Sequence, residues 1–113
     1  MVRKVKKYER ILKEFLSEYI NDRKSRRDSV YQFITDAEHH HYQVIRNGWD
    51  GDRFIHHIVF HFEIKDDAKI WVWVNNTDIE LLHELLLLGV PDTDVVVGFY
   101  PPSLREMSNL VAA

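Results

Sequence analysis

Seven histidines in 113 residues make metal coordination the first chemistry to weigh. Three of them, His39, His40 and His41, are consecutive. Neighbours on an extended chain point to opposite faces, so such a run seldom ligates one ion. His57 and His61 fall on one face of a strand, but four residues at ~3.3 Å each set them about 13 Å apart. One ion with bonds near ~2.1 Å does not span that distance. A metal site would need histidines from different strands, joined by Asp36 or Glu38. The spacing favours ordinary strand and turn histidines, and neither metal nor cofactor is expected.

Other catalytic signatures are missing. Asp66-Asp67 followed by Lys69 loosely resembles the carboxylate cluster of some nucleases. Aspartates between two strands, however, favour turn formation for their own reasons. The sequence has no phosphate loop, no dinucleotide glycine fingerprint, no G-x-S-x-G and no H-E-x-x-H. Cysteine is absent, which removes thiolate chemistry and disulfides and fits a reducing cytoplasm. A non-catalytic protein is expected, with a metal-dependent hydrolase as the remote alternative.

Charge is unevenly placed. The formal net charge of -3 combines +5 over residues 1–28 with -8 over residues 29–113. Lys6, Arg10 and Lys13 lie opposite an apolar helical stripe, and Arg23, Lys24, Arg26 and Arg27 follow it. Such a set could neutralise phosphates or meet an acidic protein surface. Glu9, Glu14, Glu18 and Asp22 dilute the field at helical spacing. Direct DNA contact through this arm is therefore an alternative, behind docking to a protein.

Tryptophans complete the candidate set. If Ile70, Val72 and Val74 face the core, Trp71 and Trp73 point away from it, and a loop or second subunit must cover them.

The elements that would position these residues follow from periodicity. Tyr8, Ile11, Leu12, Phe15, Leu16, Tyr19 and Ile20 predict a helix over 6–24. Strands are predicted at roughly 30–35, 41–47, 53–65 and 69–75, with a loop over 47–52. In the third, Phe54, Ile58, Phe60, Phe62 and Ile64 share one face in strict alternation. Thr77 and Glu80 suggest a capping box for a helix over 78–88, closed by Gly89 and Pro91. Residues 95–99 suit a short strand or a buried turn, and Pro101-Pro102 opens a short helix through Arg105 and Met107. The sum is an α+β domain, its antiparallel sheet of about four strands having one face under helix. No segment nears the ~18 apolar residues of a membrane span. The chain is expected to be soluble and cytoplasmic.

Several segments in this order resemble the XisI family, the fdxN element excision controlling factors of cyanobacteria. They are Tyr8 to Leu12, Asp36 to Gln43, Gly48-Trp49-Asp50-Gly51-Asp52-Arg53, His61 to Asp66 and Lys69-Ile70-Trp71. Gly89-Val90-Pro91, Asp94 to Phe99, and Pro101-Pro102 with Arg105 continue the series, which covers nearly the whole chain. Two departures stand out. The connection between Lys65 and Lys69 is one residue longer than the usual Lys-Asp-Gly-Lys turn, and Tyr100 replaces an expected His or Gln.

The resemblance implies one XisI-like domain over 1–113 and an accessory role in programmed excision of a DNA element. It implies action beside a site-specific recombinase and a companion called XisH, and it brings no catalytic residues. Trp71, Trp73, Tyr100 and Arg105 are the candidate protein interface, and self-association is also expected.

Overall fold

A computed structural model describes residues 2–23 and 29–104 of the chain. In it the N-terminal apolar stripe forms helix α1, Val2–Asp22, which starts four residues before the predicted bound and stops two before its end. Tyr8, Ile11, Leu12, Leu16 and Tyr19 are its buried side chains, spaced for one face. Phe15 and Tyr19 meet Phe60 of the sheet edge-on, with ring centroids 5.6 and 5.0 Å apart. That geometry suits aromatic quadrupoles.

The sheet has five strands in sequence order: β1 Val30–Asp36, β2 His41–Asp50, β3 Arg53–Ile64, β4 Ile70–Asn75 and β5 Val95–Val97. The first three pairings are antiparallel, and β5 joins β4 in parallel. The expected four-stranded antiparallel sheet thus gains a parallel fifth strand. A parallel neighbour needs a crossover, and here helix α2, Leu81–Leu87, and a 3-10 turn at Asp92–Asp94 supply it. The predicted loop over 47–52 shrinks to a two-residue turn, because β2 continues to Asp50 opposite Arg53. Gly51 takes φ +66° in that turn, as tight hairpins demand.

Two bulges interrupt the alternation. Between β2 and β3 the register shifts so that Val44 faces Phe60 while Ile45 faces Ile58, leaving Val59 as the extra residue. Between β3 and β4, Phe62 faces Val72 and His61 faces Val74, so Trp73 is the extra one. Each bulge reverses the pleat beyond it. Phe60, Phe62 and Ile64 point into the core, whereas Phe54, His56 and Ile58 point to the opposite face. The single-faced β3 expected from its pattern is corrected accordingly.

Helix α2 is shorter than predicted and begins without the capping box. Thr77 Oγ1 instead accepts from the amide of Ile79 and donates to Asn75 Oδ1, and the N-cap Glu80 makes no side-chain capping bond. Its C-terminal end follows expectation. Gly89 at φ +103° allows the amides of Gly89 and Val90 to reach the carbonyls of Leu86 and Leu85. Residues 102–104 open the predicted C-terminal helix, whose continuation through 105–107 lies outside the described residues. The N- and C-terminal halves are tied by Tyr8, whose hydroxyl donates to the buried carboxylate of Asp94. Lys4 Nζ reaches the same carboxylate at 2.8 Å.

Candidate docking face

Helices α1 and α2 bury their apolar residues in one core with the inward side chains of the sheet, and neither covers the sheet's other side. On that outer face β1 presents Val30, Gln32 and Ile34, β2 presents Gln43, Ile45, Asn47 and Trp49, and β3 presents Phe54, His56 and Ile58. A solvated antiparallel face normally alternates to polar residues, but this one is rich in apolar side chains. Trp49 and Phe54 are 54% and 57% exposed, with ring centroids 5.2 Å apart, and Val30, Ile34 and Ile58 are exposed on the same face. Exposed apolar side chains gathered on one sheet face mark an interaction surface more often than an accident of composition.

Trp71 and Trp73 share the outer side but are half-buried by their own chain. Lys65 Nζ lies 3.9 Å above the Trp71 ring, a cation–π contact. Trp73 Nε1 donates to Glu63 Oε1 at 2.9 Å, and its ring sits against Gly98. The chain itself thus provides much of the cover that a loop or second subunit was expected to bring. Tyr100 is placed elsewhere. It lines a cleft of about 310 Å³ with Val72, Val97 and Leu82, on the helix side of the sheet. Arg105 lies outside the described residues. Of the described three, Trp71 and Trp73 share the outer side and Tyr100 lies on the helix side.

Sequence reasoning missed the apolar patch at Val30, Ile34, Phe54 and Ile58. Strict alternation puts Phe54 and Ile58 in the core, and only the extra residue at Val59 turns them outward. The available signal is the run Ile58-Val59-Phe60, three apolar residues where alternation allows one or two.

Histidines from different strands do meet. His41 Nδ1 and His61 Nε2 are 3.0 Å apart across the β2–β3 pair. Burial, then the neighbouring His41, holds the His61 imidazole below its ordinary pKa. His41 turns its other nitrogen, Nε2, toward Glu63 at 3.9 Å. The two possible ligand partners thus lie on opposite sides of one ring, and one ion cannot use both. Among the described residues no group of three or more His, Asp or Glu is arranged to hold a metal. In the first turn, Asp36 accepts from the amides of Glu38 and His39 at 3.1 Å. Its carboxylate is held below its usual range first by the His39 side chain.

The predicted basic face is present but partly engaged. Lys6 and Arg10 are exposed, whereas Lys13 pairs with Glu9 at 2.8 Å and shares a shallow depression with Glu14. Arg23 lies over the Tyr19 ring at 3.8 Å. Lys24, Arg26 and Arg27 are outside the described residues. No helix among those described is long and apolar enough to cross a membrane.

Comparison with known proteins bears on all of this. The profile of the XisI family, described as XisI protein, matches residues 2–112. The fold matches a solved XisI-like protein from Anabaena variabilis ATCC 29413 with TM-score 0.85 and 39% identity, covering 93% of this chain and 95% of that one. It also matches a solved fdxN element excision controlling factor XisI from the same organism with TM-score 0.76 and 29% identity, covering 90% of this chain and 98% of that one. No functionally curated protein matches the chain. By its sequence over nearly its full length, and by its fold, the chain belongs to the XisI family.

Proposed function

We propose that this protein is a non-catalytic accessory factor in the excision of a DNA element, acting in the cytoplasm by docking a XisH-like protein on its open sheet face. The observation that carries the docking step is the exposed apolar side chains of Val30, Ile34, Trp49, Phe54 and Ile58 on the side of the sheet that α1 and α2 leave uncovered. The excision role is supported by the name of a solved relative, an fdxN element excision controlling factor. Such a factor would reach the recombinase through its partner and needs no reacting group of its own. Co-expression in one host tests the reading: the two proteins should purify together. No complex at micromolar concentration, or self-association alone through this face, would overturn it.

The second reading is direct DNA contact through the basic arm. It is favoured by the exposure of Lys6 and Arg10 and opposed by the pairing of Lys13 and Lys4 with carboxylates. Binding that falls steeply with salt, and that weakens on replacing Arg23, Lys24, Arg26 and Arg27 by Ala, would support it. Absent binding at low salt would remove it.

A further inference from the structure

The β2–β3 hairpin is longer than the helix layer that covers it. Tyr19, near the end of α1, packs on Phe60. Arg53 lies seven residues further along β3, roughly 23 Å away. Among the described residues no helix reaches over the inner side of the hairpin end, and a concavity of about 650 Å³ opens between it, the start of β1 and the last turn of α1.

Arg23, Arg46, Arg53, His57 and Tyr31 line this space, with Asp50 as its one carboxylate among the described residues. Among the described residues, three guanidiniums against one carboxylate leave a surplus of two positive charges when His57 is neutral. Convergence of like charges opposes folding, so it calls for a reason other than stability. The cations are aimed in two ways. Arg46 is held by its Nε bond to Ser29 Oγ at 2.9 Å and by Asp50 at 4.0 Å, and Arg23 by the Tyr19 carbonyl and ring. The Arg53 and His57 side chains are exposed and make no hydrogen bond or ion pair with any described residue. The inward register positions Arg46, Asp50, Arg53 and His57 put all four on the same side of the hairpin.

We propose that this concavity binds a phosphate-bearing anion of the size of pyrophosphate or a nucleoside diphosphate. The planar guanidinium fork matches phosphate oxygens in pairs. Arg46 and Arg23 form the fixed wall, and Arg53 and His57 supply the donors that the fold leaves unused. The phosphate could belong to a free nucleotide or to the end of a nucleic-acid strand. Phe54 and His56 of the outer face also border the concavity, but pyrophosphate binding needs no protein partner, so its failure is distinguishable from failure of the docking reading.

Calorimetric titration with inorganic pyrophosphate at low salt tests the site on the full chain. Saturable one-to-one binding is expected, with Arg53→Ala and His57→Ala each weakening it about tenfold, as loss of a hydrogen bond to a charged group does. Arg53→Lys should retain part of it, and Lys6→Ala, on α1 away from the pocket, should leave it unchanged. A 5′-phosphorylated oligonucleotide that displaces pyrophosphate, when the same oligonucleotide with a 5′-hydroxyl does not, assigns the site to a strand end. Failure of both to displace it assigns the site to a small anion. Absence of pyrophosphate binding would overturn the proposal. So would undiminished binding to an Arg53→Ala, His57→Ala double variant that melts like wild type.

Discussion

Asp94 shows how one residue can hold distant segments together. Burial works to raise its pKa, but the side chains of Lys4 and Tyr8 donate to the carboxylate and hold it below its usual value. The Tyr8 hydroxyl is correspondingly raised, by burial first and then by Asp94. A carboxyl with a depressed folded pKa stabilises above its unfolded value, near ~3.9, and that stability is lost as pH falls through the lower folded value. His61 acts in the same direction at milder pH. Its lowered folded pKa means stability present above about 6.5 and lost as pH falls below that. We expect Asp94→Asn to lower stability by about 1–3 kcal/mol at neutral pH. Urea unfolding across pH should also find the loss below about pH 4 flattened in that variant. An unchanged acid limb would place the stabilising charge elsewhere. None of this was legible in the sequence, because Lys4, Tyr8 and Asp94 are brought together by a contact across 86 residues between Tyr8 and Asp94.

Among the elements, helix α1 was readable and the sheet's faces were not, for related reasons. Seven apolar residues at helical spacing overdetermine one stripe, so a shift at either end leaves the buried face unchanged. A strand has a period of two, and one extra residue inverts everything beyond it. Val59 is as apolar as Ile58 and Phe60, so nothing in its type marks it as the bulge. The fifth strand was ambiguous because three residues, Val95–Val97, are too few to show a period. Gly98, which follows it, is packed too closely to carry a side chain, since a Cβ there would lie 2.7 Å from the Trp73 ring. We expect Gly98→Ala to cost about 1–3 kcal/mol. It should also push Trp73 away from Glu63, which tryptophan fluorescence alongside denaturant unfolding would detect. A variant as stable as wild type, with an unchanged spectrum, would show that the β4–β5 contact has slack.

At the scale of the molecule, the division of charge read from the sequence has become a division of surfaces. The basic residues flank a helix whose other side is committed to the core, and Lys4 and Lys13 are already paired with carboxylates. The outer sheet exposes Val30, Ile34, Trp49, Phe54 and Ile58, and it was the part least visible beforehand, since it depends on pairing register and on which side the helices pack. Interfaces draw most of their energy from a few buried anchors, each costing roughly 2 kcal/mol or more when truncated. Phe54 and Ile58 are the central candidates for such anchors, and both are exposed enough to change without opening the core. The most direct measurement is the affinity of a XisH-like partner for wild type and for a Phe54→Ser, Ile58→Ser variant, with melting temperatures taken in parallel. The account predicts at least a ~100-fold loss with melting unchanged. Equal affinity for both forms would contradict the outer sheet face as the docking surface.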